Sequence, residues 1–129
     1  MRRRAPTNQI ENIVDLTIKF NLSGIIATNT SSERENIDKK WQNTPGGLSG
    51  KPIFKKSTIT LAKISILSKS KFPIIGVGGI FSAEDAFEKI CAGASALQIY
   101  SALTFVGPSI VKEICKNLDS PQGVSFDNP

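Results

Sequence analysis

A strand, helix, strand pattern within Phe72–Ser101 constrains the fold of this 129-residue chain more than any other feature. Residues 73–77 form a short apolar, β-branched run that opens with proline, which predicts a strand buried on both faces of a parallel sheet. Apolar residues then recur at helical spacing, with Ser82 placed to cap the first turn and Gly93 to close the last. Residues 96–99 supply the next strand. Because parallel strands need such a crossover, the pattern predicts an α/β fold.

The remaining segments extend this alternation. A helix is predicted from Asn8 to about Asn21, followed by a short buried strand at 24–27. Residues 57–69 fit helix or strand by periodicity, and their length and position between two strands favour helix. A last helix is predicted to open at Gly107–Pro108, with proline at its first position. The apolar stripes expected on the first, third and last helices are Ile10, Ile13, Val14 and Ile18; Ala83, Ala86, Phe87, Ile90 and Cys91; and Ile110, Val111, Ile114, Cys115 and Leu118.

Three strands between helices make only part of a larger sheet. A doubly wound sheet favours a G-x-G-x-x-G turn after its first strand, and the sequence has none. In a (β/α)₈ barrel, ligands lie at the carboxyl ends of the strands, and phosphate is commonly held after the last two. Gly78-Gly79 and Tyr100-Ser101 occupy those places if this segment is the end of a barrel.

Two further polar segments are candidate ligand sites. Thr28-Asn29-Thr30 follows the first predicted strand, and these residues form either a plain turn or hydrogen-bonding groups for a ligand. Gly46–Gly50 is a glycine-rich turn whose backbone amides are able to cradle an anion, although the motif is weak alone. Between them lies a charged, aperiodic loop of residues 31–45, which we expect Trp41 to hold down.

Composition excludes several classes of function. The sequence has no histidine, which excludes Ser-His-Asp hydrolysis, histidine-ligated zinc and histidine general-base chemistry within these residues. Its two cysteines lie on predicted apolar helix faces without Cys-x-x-Cys spacing, so we interpret both as packing residues. The net charge of +5 is scattered, which favours a solvated surface over a nucleic-acid partner. We expect no transmembrane segment and no signal peptide.

Four motifs in order resemble the C-terminal half of the flavin-dependent dihydroorotate dehydrogenases. They are ATNT at 27–30, GGLSGKP at 46–52, PIIGVGGI at 73–80 and the AGAS and LQIYS segments between 92 and 101. The resemblance runs from about Pro6 to Leu118. The ending at Tyr100-Ser101 is similar to the membrane-associated, quinone-reducing class, since the soluble classes usually carry glycine and threonine there.

This resemblance implies specific roles. The expected fold is the C-terminal part of a (β/α)₈ barrel over residues 1–118, with a polar tail at 119–129. The expected activity is FMN-dependent oxidation of dihydroorotate to orotate in pyrimidine synthesis, with quinone as electron acceptor and a peripheral membrane location, on the cytoplasmic face of the inner membrane if bacterial. The implied FMN ligands are Thr28, Gly50, Gly79, Tyr100 and Ser101, and the implied substrate ligands are Asn29 and Thr30.

The sequence also departs from the family. Ala5-Pro6 matches an Ala-Pro-Asp turn, but Thr7 replaces the aspartate, and Arg3-Arg4 stand where a strand with a flavin-binding lysine is expected. No residue here corresponds to the serine that acts as general base, so we expect no catalytic residue, and no metal site, in this chain. A complete barrel takes on the order of 250 residues. The alternative to an enzyme is therefore a truncated remnant or split-gene half, inactive alone, that pairs with a separate N-terminal half.

Overall fold

A computed structural model describes residues 7–35 and 37–119, and the structural statements below concern those residues. The interpretations placed on residues 1–6 and on the tail beyond 119 lie outside the described residues. The elements are α1 (Thr7–Lys19), β1 (Ile25–Ala27), short 3₁₀ helices at Lys39–Trp41 and Lys51–Ile53, α2 (Phe54–Ser68), β2 (Ile74–Val77), α3 (Ala83–Cys91), β3 (Ala96–Gln98), α4 (Ser101–Val106) and α5 (Ser109–Asp119).

The three strands form one parallel sheet in the order β1, β2, β3. Ile26 lies opposite Ile75, and Ile75 lies opposite Ala96, so these residues form one row across the sheet. α2 connects β1 to β2 and α3 connects β2 to β3, as the sequence predicts. The α/β class and the alternation expected of part of a (β/α)₈ barrel are confirmed.

The helices cover only one face of the sheet. Ala27 and Ile74 point to this face and are buried together with Leu61 and Ile64 of α2. On the opposite face the side chain of Ile26 is 60% exposed. The strand predicted at 73–77 to be buried on both faces is only half-buried on this one, at Ile75 and Val77, and the buried strand predicted at 24–27 is exposed there at Ile26. Both predictions are wrong for this face, because the inward face of a barrel is covered only when further strands close around it.

A second cluster joins the carboxyl side of the sheet to the last helices. Its buried members are Ile80, Ala86, Ala102, Ile110 and Ile114. Several predicted stripe residues are instead exposed, namely Ile13, Ile90, Val111 and both cysteines, Cys91 and Cys115. The packing role assigned to the cysteines is wrong, because the buried face of each helix is rotated away from them.

The helix boundaries follow the sequence with three exceptions. α2 is a helix, as favoured, but begins at Phe54, three residues earlier than predicted. α4 was not predicted, because its six residues are too few to show helical periodicity. α5 begins at Ser109, so Pro108 precedes the helix instead of occupying its first position. The caps of α3 are as predicted: Ser82 Oγ accepts a hydrogen bond from the Asp85 N–H at 3.1 Å, and Gly93 has φ +112°.

Trp41 does not hold the charged loop, because its side chain is 56% exposed. The loop is closed at its base by a backbone pair, in which the Ser31 N–H donates to Leu48 O at 2.9 Å and the Leu48 N–H donates to Ser31 O at 2.7 Å. Arg34 crosses the loop and donates to the Thr44 carbonyl at 2.7 Å. These bonds bring the glycine-rich turn beside the end of β1.

Candidate functional site

A cavity of about 600 Å³ opens at the carboxyl ends of the three strands. This volume lies within the range of small-molecule and cofactor sites. Its walls come from the residues that follow each strand and from the glycine-rich turn. The lining residues are Ile26, Thr28, Asn29, Thr30, Ser49, Gly50, Ile53, Val77, Gly78, Gly79, Ile80, Gln98, Ile99, Tyr100 and Ser101.

All seven residues that the sequence singles out line this one cavity: Thr28, Asn29, Thr30, Gly50, Gly79, Tyr100 and Ser101. The parallel register explains how motifs distant in sequence meet. Ala27 pairs with Gly76 and Val77 pairs with Gln98, so the three strands end at nearly the same level. The Thr28 N–H continues the ladder by donating to Val77 O at 3.2 Å.

A pair of hydroxyls connects two of the loops. Ser101 Oγ donates to Ser49 Oγ at 2.9 Å, which joins the turn after β3 to the glycine-rich turn. Sequence reasoning assigned no role to Ser49. Its position in the glycine-rich motif was a signal, but the contact depends on a residue 52 positions away.

Asn29 and Thr30 are positioned by local contacts. Asn29 Oδ1 accepts a hydrogen bond from the Thr30 N–H at 2.8 Å, which orients the carboxamide. A Cβ added at Gly47 would lie 1.9 Å from Thr30 Oγ1. Gly47 therefore has to be glycine for Thr30 to occupy its place in the wall, a role that the sequence alone did not indicate.

The two glycines expected to admit a ligand differ in what surrounds them. A Cβ at Gly50 would make ordinary contacts, 3.7 Å from Ser101 Cβ. A Cβ at Gly79 would lie 2.6 Å from Phe54 Cβ and 2.9 Å from the Gly50 carbonyl oxygen. The expected reason for glycine at 79, close approach of the backbone to a ligand, is thus joined by a stronger one, which is packing against the start of α2.

The cavity lining is electrically neutral. None of its 15 described lining residues is Asp, Glu, Lys or Arg. Threonine, serine and tyrosine hydroxyls and the Asn29 and Gln98 amides supply both donors and acceptors. The lining therefore suits a polar, uncharged ring, and no side-chain carboxylate in it repels an anionic group.

Two lysines on the helices α2 and α3 have pKa values shifted from the ordinary value of a lysine. Burial lowers the pKa of Lys89 to about 8, although the Glu88 and Asp85 carboxylates oppose that effect. The hydrogen bond to Glu33 raises the pKa of exposed Lys56, which also pairs with Glu35 and so connects α2 to the charged loop. Sequence reasoning missed Lys89 because a lysine on a predicted helix is expected to face solvent.

Within residues 7–35 and 37–119, no group of three or more histidine, cysteine, aspartate or glutamate side chains is arranged to hold a metal ion. In the same residues, no helix combines the length and apolar character needed to cross a bilayer.

Comparison with known proteins identifies the relatives of this chain. The sequence profile of the dihydroorotate dehydrogenase family matches residues 5–121. The dihydroorotate dehydrogenase (quinone) of Christiangramia forsetii is 45% identical over 106 residues, which cover 82% of this chain and 31% of that protein. The corresponding protein of Trichodesmium erythraeum is 48% identical over 114 residues, 82% of this chain and 30% of that protein.

A solved structure matches the fold. The crystal structure of dihydroorotate dehydrogenase in complex with ferulenol from Eimeria tenella superposes with a TM-score of 0.82 at 30% identity, over 87% of this chain and 30% of that one. The chain therefore spans about 30% of the length of the relatives that it matches.

Proposed function

The chain belongs to the dihydroorotate dehydrogenase family, and from that premise we propose that it forms part of the active site of a quinone-dependent dihydroorotate dehydrogenase. The activity is the oxidation of dihydroorotate to orotate in pyrimidine synthesis, with FMN as cofactor and quinone as electron acceptor. One observation carries the proposal. The seven ligand residues implied by four separate motifs line a single cavity at the carboxyl ends of the strands.

The cavity fits the side of FMN that carries the phosphate. Gly78 and Gly79 line the cavity with φ values of +117° and +74°, so their backbone forms a turn with no side chain between it and a ligand. Such a turn presents amides to an anion, as other phosphate-binding turns do. Ser49 and Ser101, whose hydroxyls are hydrogen-bonded to each other, line the same cavity. The neutral lining accepts the uncharged ring, and the flavin, when bound, supplies the two-electron acceptor for the substrate.

The cavity residues fall into a group that binds the cofactor and a group that binds the substrate. Gly50, Gly79, Tyr100 and Ser101 hold the phosphate side of the cofactor, and Thr28 contacts the flavin. Asn29 and Thr30 stand at the end of β1 and bind the pyrimidine or its carboxylate. Their neutral groups orient the substrate ring by hydrogen bonds. The lining has no carboxylate that would repel the negative charge of the substrate.

Catalysis needs groups that these strands do not contain. A base has to remove a proton from the substrate carbon, and no lining residue is a histidine or carboxylate. The family's serine base and flavin-binding lysine have no counterpart among the described residues. The proposed activity therefore belongs to an assembly in which β1–β3 join the remaining strands of a barrel.

A second candidate function is that of a module without activity that pairs with a separate N-terminal half. The bare sheet face gives such a half a surface to pair with, because Ile26 is 60% exposed and Ala96 on the same row is also exposed. Both candidates use the same surface. They differ in whether the completed barrel turns over substrate. A peripheral membrane location belongs to the enzyme candidate alone, since quinone is a membrane solute.

The test is reconstitution. The 129-residue chain is co-expressed with the first two thirds of a related quinone-dependent enzyme, and dihydroorotate-dependent quinone reduction is measured. We expect activity from the pair and none from the chain alone. Asn29→Ala is expected to raise KM for dihydroorotate about tenfold through loss of a substrate hydrogen bond, whereas Lys63→Ala on the exposed side of α2 leaves it unchanged. A pair that assembles and holds FMN without activity would favour the inactive module, and activity of the chain alone would contradict the assembly.

A further inference from the structure

A lysine is completely buried beneath the cavity. The side chain of Lys89 on α3 has 0% exposure, the lowest of any charged residue that the structure describes. Burying a charge is costly unless it is paired or hydrogen-bonded. Lys89 Nζ donates to Ser57 Oγ, and it lies 4.9 Å from the centre of the Phe54 ring. Its contacts on α2 are therefore one hydroxyl and one aromatic face, with no carboxylate in contact.

Ser57 connects Lys89 both to the start of α2 and to the glycine turn. Ser57 is 2% exposed, and its Oγ lies 3.2 Å from Gly78 O and 2.9 Å from Phe54 O. The hydroxyl has one proton, which the Phe54 and Gly78 carbonyl oxygens share, and the bond that Ser57 accepts from the ammonium group polarises it toward both. A Cβ at Gly78 would lie 2.8 Å from Ser57 Oγ, so only glycine allows this approach.

Fixing the Gly78 carbonyl also fixes the next amide. In a trans peptide the C=O and the following N–H point in opposite directions. Because the Gly78 carbonyl is turned toward Ser57, the Gly79 N–H points away from α2 and toward the cavity that Gly79 lines. None of the hydrogen bonds found among the described residues uses the Gly79 N–H. With glycine on both sides, this peptide would otherwise rotate easily.

We propose that Lys89 is a positioning residue that acts through Ser57 to hold the Gly79 N–H toward the cavity, ready to donate to a phosphate oxygen of the cofactor. This inference rests on the proposed function for the identity of the anion. It assigns Lys89 a task that neither packing nor surface charge explains, because an apolar side chain of the same length would fill the space without the cost of a buried charge.

The test compares FMN with riboflavin, which lacks the phosphate. Dissociation constants for both are measured by flavin fluorescence on the full chain and on its Lys89→Met and Ser57→Ala variants. We expect FMN to bind the unaltered chain more tightly than riboflavin. Both variants are expected to weaken FMN about tenfold, as for loss of one charge-assisted hydrogen bond, and to leave riboflavin unchanged. The control Lys63→Met removes an exposed charge and leaves both constants unchanged.

A purely structural role would give a different pattern. In that case Lys89→Met would lower the thermal midpoint and weaken both flavins equally, which would overturn the proposal. We expect its midpoint to be equal or higher, since a buried charge is removed. If Lys89→Met fails to fold, the FMN to riboflavin ratio of Ser57→Ala decides.

A measurement without ligand separates this inference from the proposed function. The ¹⁵N resonance of the Gly79 amide reports the orientation of the Gly78-Gly79 peptide. We expect it to shift in Lys89→Met and not in Lys63→Met. If the unaltered chain binds neither flavin, the proposed function fails while this shift still supports the positioning role. An unshifted Gly79 resonance in Lys89→Met overturns the positioning role whatever the flavins do.

Discussion

Gly79 and Gly50 both line the cavity with positive φ, at +74° and +80°, yet they should respond differently to substitution by alanine. A non-glycine residue with such a φ costs about 1–3 kcal/mol at either position, and Gly50, with ψ −157°, lies in a backbone region that is essentially confined to glycine. At Gly79 the new Cβ would also lie 2.6 Å from Phe54 Cβ. Overpacking of this kind adds about 1–3 kcal/mol. At Gly50 the nearest atom would be 3.7 Å away, so no such term arises.

We therefore expect backbone strain to lower the free energy of unfolding by about 1–3 kcal/mol in both Gly50→Ala and Gly79→Ala, and overpacking to lower that of Gly79→Ala by about 1–3 kcal/mol more. Urea denaturation followed by far-ultraviolet circular dichroism, at one protein concentration, measures both. Gly50→Ala should keep a folded chain in which ligand binding is testable. Equal losses for the two variants would refute the assignment of Gly79 to packing against α2, and would return it to a ligand-facing role alone.

Three further outcomes follow from the structure. Because burial lowers the pKa of Lys89 to about 8 from 10.5, the unfolded chain binds more protons than the folded chain between those values. The free energy of unfolding should thus rise between pH 8 and 10.5, by about 1–2 kcal/mol after screening, and Lys89→Met should abolish the rise. The bare sheet face should make the isolated chain self-associate, and Ile26→Lys should reduce the apparent mass in analytical ultracentrifugation without loss of helix signal; a monomer before substitution would contradict this. Cys91 and Cys115 should both react with a thiol reagent in the absence of denaturant, and protection of either would show that its helix is rotated.

The alternation of strands and helices was predictable because it depends on local patterns. The proline-led run before Gly76, the Ser82 cap and the Gly93 closure each act within a few residues, and the structure has all three. The C-terminal part of a barrel followed from where the glycine turns stand after the strands. The six residues of α4 gave no periodic signal, because they make fewer than two helical turns.

The burial of individual side chains was less predictable, since it depends on what covers each face. Ile26 has the sequence character of a core residue and is exposed, because strands beyond β1–β3 are needed to enclose it. Lys89 has the character of a surface residue and is completely buried, because Ser57 and Phe54 on another helix provide its partners. In both cases the deciding neighbour lies far away in the sequence.

The members of the cavity were predictable only through the resemblance to a family. Composition and spacing left Thr28-Asn29-Thr30 as either a turn or ligand-binding groups. The glycine-rich turn alone was only a weak indication of an anion-binding site. The structure brings both segments to one cavity. The contacts that hold the site, such as Ser49 with Ser101 and Gly47 with Thr30, were not predictable, because each joins residues that are far apart in the sequence.

Amide chemical-shift mapping shows whether FMN binds at the carboxyl ends of β1–β3. FMN is titrated into the ¹⁵N-labelled chain, and shifts are followed residue by residue. We expect weak, saturable binding with the largest shifts at Thr28, Gly50, Gly79 and Ser101, and little change at the exposed Lys63 on α2. Shifts spread over exposed lysines, or no saturable shift at the cavity residues, would contradict it.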